Sequence, residues 1–298
     1  MTEDALVKNG ERIDDLQCNG FRIIQDPSQF CFGMDAVLLA NFASGRKRAQ
    51  GMDLGTGTGI IPLLMLAKDK ASTFTAIEIQ PEMAGMAGRS AILNNVNDRL
   101  NVVCGNICDI NPHKRISDNS TGYDIENIVS NNTHDSSDNA DGVEPEESVV
   151  NEYRTGWREK FDIVTSNPPY IADAGGLHNP KDSVNIARHE IMVKLEDVIR
   201  AAAYLLKMGG CFAMVHKPFR LTEIMELLKK YKLEPKRMQL VQPREGSEPN
   251  MLLIEAVKGG HDGLRILPTL NVYREDGSYT EELLRYYGME TDNNDFGE

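Results

Sequence analysis

Four residues in the middle of the chain, Asn167-Pro168-Pro169-Tyr170, carry groups that suit a flat ligand bearing an amino group. Proline has no N–H, so the side-chain oxygen of Asn167 and the carbonyl of Pro168 meet no competing donor at either proline. Both oxygens are suited to accept hydrogen bonds from an –NH2 group, which draws its nitrogen from planar toward tetrahedral and frees the lone pair. Tyr170 adds a face on which a planar base stacks. Alone, the same residues also describe a tight turn that ends a strand.

A glycine-rich segment marks a second place where a ligand is expected. Residues 51–54 have the pattern of a short strand, residues 55–59 read Gly-Thr-Gly-Thr-Gly, and residues 60–67 form an apolar run of helical length. Glycines at alternate positions permit unusual backbone conformations and let a ligand approach the main chain closely. The pattern predicts strand, turn and helix with a ligand at the turn, although a βα loop without a ligand fits the glycines taken alone.

The residues around this turn indicate which ligand to expect. Glu78 ends the next β-rich run about twenty residues later, the spacing at which an acid meets ribose hydroxyls. The glycines follow G-x-G-x-G rather than the G-x-G-x-x-G of a pyrophosphate site, and no Lys-Ser/Thr pair of a P-loop follows them. Asp53 suits a cationic amino-acid group better than a pyrophosphate. S-adenosylmethionine is therefore the predicted cofactor, and the predicted contacts are Asp53, Gly55, Thr56, Gly57, Gly59 and Glu78.

These motifs together resemble a known group of enzymes. The glycine turn, Glu78 and the Asn167 turn are similar to those of class I S-adenosylmethionine-dependent methyltransferases of the amino-methylating branch. Residues 30–40, 187–190, 216–220 and 242–255 narrow the resemblance to the bacterial tRNA(Val) adenine-37 N(6)-methyltransferase family. The resemblance covers almost the whole chain except one insert. It implies methylation of the N6 amine of an adenine in a tRNA anticodon loop.

The resemblance also implies a fold and further cofactor contacts. The fold is an α/β, Rossmann-like class I methyltransferase with a seven-stranded, mostly parallel sheet and helices on both faces. Phe32 and Asp35 lie in a segment expected to fold over the cofactor, although an ordinary helix N-terminus explains them equally well. Family members place an Asp after the third strand to contact the adenine amino group. Here Asn106 stands there, with Asp109 three residues on, and either fits.

The pattern of apolar residues predicts alternating strands and helices around one catalytic domain. Strands are expected at 22–25, outside the main sheet, and at 51–54, 73–77, 101–104, 161–166, 211–215, 236–241 and 251–257; helices are expected at 60–67, 82–94, 195–206 and 221–231. Residues 49–258 form the predicted methyltransferase domain, between an N-terminal segment at 1–48 and a C-terminal extension with an acidic tail at 259–298. Ligands of such sheets bind beyond the carboxyl ends of the strands, which predicts one shared crevice.

The distribution of charge favours an RNA partner despite a net charge of −13. Residues 111–157 hold three Lys/Arg and ten Asp/Glu, and this insert is predicted to be a disordered surface decoration. Residues 207–274 hold twelve Lys/Arg and seven Asp/Glu, which predicts a basic face suited to a phosphate backbone. Lys217, Arg220 and Arg244, with Pro169 of the turn, are the predicted substrate contacts. Solvated helix faces explain several of the other lysines.

Location and competing functions complete the expectations. The chain has no apolar run of membrane-spanning length, no secretory signal pattern and an odd number of cysteines without zinc-site spacing, so a cytoplasmic protein without membrane or metal partners is expected. Glutamine N5-methylation of a release factor is an alternative because a carboxamide presents a similar –NH2. The short segment before the glycine strand disfavours it. A non-catalytic scaffold that binds cofactor or RNA is the alternative from another class.

Overall fold

Two short strands near the amino terminus form a hairpin apart from the main sheet. The computed structural model of the protein describes residues 3–29, 31–110, 123–124, 156–169 and 193–289. Strand β1 (Arg12–Asp15) pairs antiparallel with β2 (Arg22–Gln25). The prediction of a strand at 22–25 outside the main sheet is confirmed.

The main sheet contains the seven predicted strands and three more. The predicted strands are β3 (Gln50–Leu54), β4 (Thr73–Glu78), β5 (Leu100–Cys104), β7 (Phe161–Ser166), β8 (Leu206–His216), β9 (Leu233–Gln242) and β10 (Met251–Lys258). The others are β6 (Tyr123–Asp124), β11 (Arg265–Ile266) and β12 (Leu270–Asn271). The predicted count of seven is too low because a strand of two residues has no alternating pattern to detect.

The strand order brings the candidate site residues to one end of the sheet. The order is β11-β9-β10-β8-β7-β3-β4-β5-β6, with β12 beside β9. Strands β3, β4, β5, β7 and β8 run parallel, whereas β10 is antiparallel to both β8 and β9. The carboxyl ends of β3, β4, β5, β7, β8 and β9 therefore meet at one end of the sheet. This carboxyl end is where ligands of doubly wound sheets bind.

Helices cover both faces of the sheet, as predicted. Helices α1 (Met34–Phe42), α2 (Ile60–Ala67) and α3 (Pro81–Leu93) pack in one hydrophobic cluster, and α4 (Leu195–Leu205) and α5 (Leu221–Lys230) pack in another. The strands divide their side chains between the two clusters. On β8, Ala213 and Val215 join the first, whereas Phe212 and Met214 join the second. This alternation follows from the period of two in a strand and fixes the register of β8.

A buried ion pair attaches the N-terminal segment to α3. Arg89 is only 7% exposed, and its Nη2 donates to Glu11 Oε1 at 2.7 Å while Nη1 donates to the carbonyl of Leu6 at 2.6 Å. Burial raises the pKa of Glu11, but the hydrogen bonds from Arg89 and from the Lys8 amide outweigh it, so the pKa is lowered overall. The charged form of Glu11 is thus the one that holds the hairpin in place.

The chain returns to the first helical layer after the last long strand. Leu270 and Leu283 are fully buried in the cluster of α1 and α2, and the latter residue belongs to α6 (Glu281–Tyr286). The Asn41 amide donates to the carbonyl of Tyr286 at 3.1 Å. The described part of the predicted C-terminal extension is therefore anchored to the core by a few buried side chains, while most of its residues are exposed.

Two further predictions concern parts of the chain that are only partly described. Apart from residues 123–124 and 156–157, the predicted acidic insert lies outside the described residues, as does the acidic tail from residue 290. Within the described ranges, no helix is both long and apolar enough to span a bilayer.

Candidate active site

The glycine turn between β3 and α2 adopts backbone conformations that require glycine. Gly55, Gly57 and Gly59 have φ of +73°, +57° and +89°, a region that side chains with a Cβ rarely adopt. A Cβ on Gly57 would meet nothing within 4 Å, whereas one on Gly59 would lie 3.2 Å from the Cβ of Ala87. Gly59 therefore serves the close approach of α2 and α3. The main chain at Gly57 faces open space and carries no side chain, so a nucleoside can approach it closely. We call the main chain of this turn, Gly55–Gly59, the cradle.

Strand β4 fixes the shape of this turn. The amides of Gly55 and Thr56 donate to the Ile77 carbonyl at 2.9 and 3.0 Å. The Gly57 amide donates to Glu78 Oε2 at 2.9 Å, and the Gln80 amide donates to Oε1 at 3.0 Å. Each carboxylate oxygen has a further lone pair, so Glu78 still accepts from hydroxyl groups. Glu78 thus has a structural role in the turn, and its contact with a ribose stays a prediction.

Asp53 lies beneath the turn with an incompletely satisfied carboxylate. Its side chain is fully buried, and Thr165 on β7 donates to Oδ1 at 2.6 Å. Oδ2 and the Thr56 hydroxyl have no hydrogen-bond partner among the described residues. Burial raises the pKa of Asp53 to about 6; Thr165 and the nearby Thr56 hydroxyl, which is not aligned as a full hydrogen bond, oppose the rise. An orphaned acidic oxygen under the cradle fits a cofactor with a cationic amino-acid group.

The residues after β5 form a capped turn beside Glu78. The Gly105 amide donates to the Glu78 carbonyl at 2.8 Å, and Asn106 caps the 3-10 turn Ile107–Asp109 by accepting from the Cys108 amide at 2.9 Å. Because its side-chain oxygen already has this partner, Asn106 offers its amide nitrogen more readily than its oxygen. Contact with a cofactor adenine through Asn106 stays a prediction.

The segment expected to cover the cofactor meets the start of α2. Phe32 and Ile60, the residue directly after the glycine turn, line a cavity of about 200 Å³ that Tyr287 closes from the C-terminal side. Asp35 lies in the first turn of α1. Burial raises the pKa of Tyr287 to about 12, and the nearby charges of Tyr279 and Asp35 contribute. Phe32 is thus close to the turn, and its role toward a cofactor, like that of Asp35, stays a prediction.

The Asn167 turn begins where β7 ends, beside the glycine turn. Ser166 is opposite Leu54 in the sheet, and its hydroxyl donates to the Leu54 carbonyl at 2.8 Å. Asn167 is half-buried, Pro168 is buried and Pro169 is exposed. Tyr170 lies outside the described residues. The turn with the acceptor groups and the turn with the cradle therefore leave neighbouring strands at the same level, as the shared crevice requires.

The predicted substrate contacts lie further along the same end of the sheet. Lys217 and Arg220 follow β8, and Arg244 follows β9. Lys217 Nζ lies 3.4 Å from the carbonyl of Asn250, and Arg220 Nε is 2.6 Å from Glu223 Oε2. The Arg244 guanidinium lies 5.9 Å from the ring centre of Tyr273. The salt bridge of Arg220 reduces its capacity to neutralise a phosphate, and the contact of Lys217 Nζ with the Asn250 carbonyl is a long one.

Thr165 and Tyr273 are site residues that the sequence did not reveal. Thr165 binds Asp53 from the next strand, and Tyr273 stacks on Tyr279 with ring centres 5.4 Å apart, next to Arg244. The only signal for Thr165 was a polar residue at a buried strand position. Tyr273 gave none, because its proximity to Arg244 depends on the pairing of β12 with β9.

His216 closes β8 as a buried, neutral imidazole. It is 2% exposed, and Nδ1 accepts from the Lys217 amide at 2.8 Å. Burial, with the charge of Arg220, lowers the pKa of His216 to about 4. The ring therefore shapes the turn that follows β8.

This pKa gives a testable pH dependence of stability. Because the folded pKa lies below the ordinary value, the unfolded state binds the proton more readily, and stability falls as the pH drops from about 6.5 to about 4. The loss from this group is up to about 3 kcal/mol. In His216→Asn, whose Oδ1 replaces Nδ1 as the acceptor, we expect a smaller loss of stability over this range. Urea unfolding at several pH values measures the difference; parallel curves for the two proteins would contradict the buried neutral ring.

The strand order and the helices on both faces of the sheet give the chain a class I methyltransferase fold. The chain is similar in structure to a predicted O-methyltransferase from Agrobacterium tumefaciens, with a TM-score of 0.57 and 22% identity over 86% of this chain and 97% of that one. At this identity the likeness shows the fold. No family model matches the chain.

The curated relatives described next carry one name. The chain is 26% identical over 271 residues to a protein from Porphyromonas gingivalis named tRNA1(Val) (adenine(37)-N6)-methyltransferase, covering 89% of this chain and 90% of the relative. A protein of the same name from Parabacteroides distasonis is 28% identical over 240 residues, covering 80% and 81%. The resemblance that the motifs indicate is therefore confirmed across most of the chain.

Proposed function

We propose that this protein transfers a methyl group from S-adenosylmethionine to the N6 amine of an adenine in tRNA, at adenine 37 of a valine tRNA as in the names of its relatives. The observation that carries the proposal is the pairing of Leu54 with Ser166, which aligns the glycine turn and the Asn167 turn at the carboxyl end of the sheet. The cofactor cradle and the amine-binding groups thereby face one crevice.

The residues of the crevice divide into those that hold the cofactor and those that hold the amine. Glu78 accepts from the ribose hydroxyls, and the bare main chain at Gly57 allows close approach. Asp53 Oδ2, which lies beneath the glycine turn, attracts the cationic amino-acid group of the cofactor. This attraction offsets the free-energy cost of burying the Asp53 carboxylate. The cofactor supplies a methyl group bonded to a sulfonium sulfur. When this methyl group is transferred, the rest of the cofactor leaves as a neutral thioether.

Asn167 and Pro168 act on the attacking nitrogen. Their two oxygens accept hydrogen bonds from the two N–H groups of the adenine amine. The lone pair of the amine nitrogen then points away from both oxygens and toward the methyl group. Alignment and desolvation of this kind supply a large share of the reduction in the activation barrier for methyl transfer. The surplus proton leaves to water from the methylated nitrogen. No described side chain is assigned as a general base in this reaction.

The proposed substrate suits the surface next to the crevice. An anticodon loop is unpaired, so extrusion of its adenine requires little energy. Tyr170 is proposed to stack on the extruded base, and Lys217 and Arg244 to neutralise loop phosphates. The acidic balance of the whole chain, −13, makes such a local basic region necessary for RNA binding.

The test is methyl transfer from labelled S-adenosylmethionine to total tRNA from a strain that lacks the gene. Digestion to nucleosides should give labelled N6-methyladenosine, and purification of the tRNA should assign it to a valine acceptor. Label on a glutamine of a release factor instead of on RNA would keep the active-site geometry and overturn the substrate. Absence of transfer to either would favour a scaffold that binds cofactor or RNA.

A further inference from the structure

An aromatic side chain is exposed next to the candidate active site. Phe219 is 57% exposed, although exposure of a large apolar ring is unfavourable unless something covers it. It lies in the 3-10 turn Pro218–Arg220, directly after β8. Its neighbours Lys217 and Arg220 are predicted substrate contacts, whereas no role was predicted for Phe219.

The sheet register brings this turn close to the Asn167 turn. Ser166, the last residue of β7, pairs with Met214, so Asn167 and the prolines leave the sheet beside His216 and Lys217. Adjacent strands are about 4.8 Å apart. Phe219, three residues after His216, therefore lies just beyond the strand that neighbours β7, whose end carries the groups proposed to hold the target amine.

The turn that carries Phe219 is held in a defined shape. Pro218 restricts the backbone, the Lys217 amide donates to the buried His216 at 2.8 Å, and Arg220 pairs with Glu223 at 2.6 Å. These contacts fix the residues on both sides of Phe219. A ring presented on a rigid turn loses little conformational entropy when a partner stacks on it.

The charge of the surroundings indicates the partner. Lys217 is two residues before Phe219 in the chain, and Arg244 lies across β10 at the same end of the sheet, with its guanidinium 5.9 Å from the ring centre of Tyr273. Basic residues alternating with exposed rings form the surface on which single-stranded nucleic acid binds, because the phosphates meet the cations and the bases stack on the rings. A protein or membrane partner would not need this alternation.

We propose that Phe219 stacks on the base of a nucleotide that flanks the target adenine in a single-stranded RNA loop. This inference rests on the proposed function for the identity of the RNA. Phe219 sets how the flanking nucleotide is held, so it governs RNA binding and contributes nothing to cofactor binding. Lys217 contributes a phosphate contact beside it.

The test compares four variants for binding to an unmodified anticodon stem-loop of a valine tRNA. In Phe219→Ala we expect the Kd to rise about tenfold, the effect of losing one stacked base, with the dependence of Kd on salt unchanged. In Lys217→Ala the slope of log Kd against log salt concentration should decrease by about one. Phe219→Trp should retain affinity. Met208→Ala is the matched control, because Met208 is 69% exposed but lies at the opposite end of β8.

A fluorescent readout locates the stacked base. One stem-loop carries 2-aminopurine directly before the target position, and a second carries it directly after. The fluorescence of one of the two should be quenched by the unsubstituted protein but not by the Phe219→Ala protein. S-adenosylmethionine affinity and the melting temperature, measured for each variant, exclude loss of folding as the cause.

The outcomes separate this inference from the proposed function. Unchanged RNA affinity in Phe219→Ala, or an equal loss in Met208→Ala, would overturn the stacking role even in an active tRNA methyltransferase. A selective loss in Phe219→Ala, in a protein that methylates no RNA, would support the stacking role and contradict the proposed reaction.

Discussion

Replacing Asn167 with alanine should lower kcat for methyl transfer by about 10²- to 10³-fold, the usual effect of removing one group that stabilises a transition state. The side-chain oxygen of Asn167 is one of two proposed acceptors for the adenine amine, and it becomes most useful as the nitrogen turns tetrahedral. S-adenosylmethionine binding should stay within about twofold, because the cofactor contacts proposed at Gly57 and Glu78 belong to other strands. Single-turnover methylation with saturating RNA measures the first quantity, and calorimetric titration of the cofactor measures the second.

Asn101→Ala is the matched control for this variant. Asn101 is an exposed residue of β5, away from the carboxyl end of that strand. Its replacement should leave both the rate and the cofactor affinity unchanged. Equal activity of Asn167→Ala and the unsubstituted protein would remove Asn167 from the mechanism, whereas equal losses of activity and cofactor affinity would assign it a structural role.

Replacing Asp53 with asparagine should stabilise the cofactor-free protein and weaken cofactor binding. Burial raises the pKa of Asp53 to about 6, above its unfolded value, so this group favours folding most below about pH 4 and that contribution is lost as the pH rises through 6. At pH 7.5 the charged carboxylate therefore costs about 3 kcal/mol. Asparagine keeps an oxygen for Thr165 and carries no charge. We expect a free energy of unfolding higher by up to about 3 kcal/mol and a cofactor Kd raised at least tenfold, since a lost charged contact is worth about 1.5–3 kcal/mol.

Glu255→Gln provides the opposite case. Glu255 is also buried, at 4% exposed, but Arg237 donates to it at 3.0 Å and the Ser44 amide at 2.7 Å. Removing its charge leaves Arg237 without its counter-ion, so this variant should be less stable. Chemical unfolding of the Asp53→Asn and Glu255→Gln proteins, with and without S-adenosylmethionine, tests both predictions. A destabilised Asp53→Asn protein with normal cofactor affinity would show that Asp53 serves only the architecture of the turn.

The pattern of residues predicted most of the sheet because each long strand carries its own signal. The apolar run that became β7 and the strand–turn–helix pattern around Gly57 are local, and the observed bounds differ from the predicted ones by a few residues. Strand β8 shows the limit. It begins at Leu206, directly after α4, whereas a strand was expected only from residue 211. Gly209, with φ of +78°, lies in this added stretch, where the pairing with β7 shifts register between Phe161 and Ile163.

Other elements had no local signal at all. Strands β11 and β12 are two residues each, and they exist because the chain returns along β9. Likewise, the polar strand β1 pairs with β2 next to the ion pair of Arg89 and Glu11, which attaches the N-terminal segment to α3. Contacts between residues far apart in sequence decided these elements, and a pattern within one segment does not contain them.

The sequence by itself determined the chemistry available to the protein: amine acceptors on a proline turn, a glycine turn that must adopt positive φ, and an acid placed for a ribose. These are properties of residue type and of spacing along one strand. Only the tertiary structure decided which of these groups are occupied by other partners. Arg220 is paired with Glu223, Asp53 is buried under the turn, and Phe219, for which no role was predicted, is exposed at the same end of the sheet as the site. Exposure and pairing depend on packing between distant segments, so they appear only once the chain is folded.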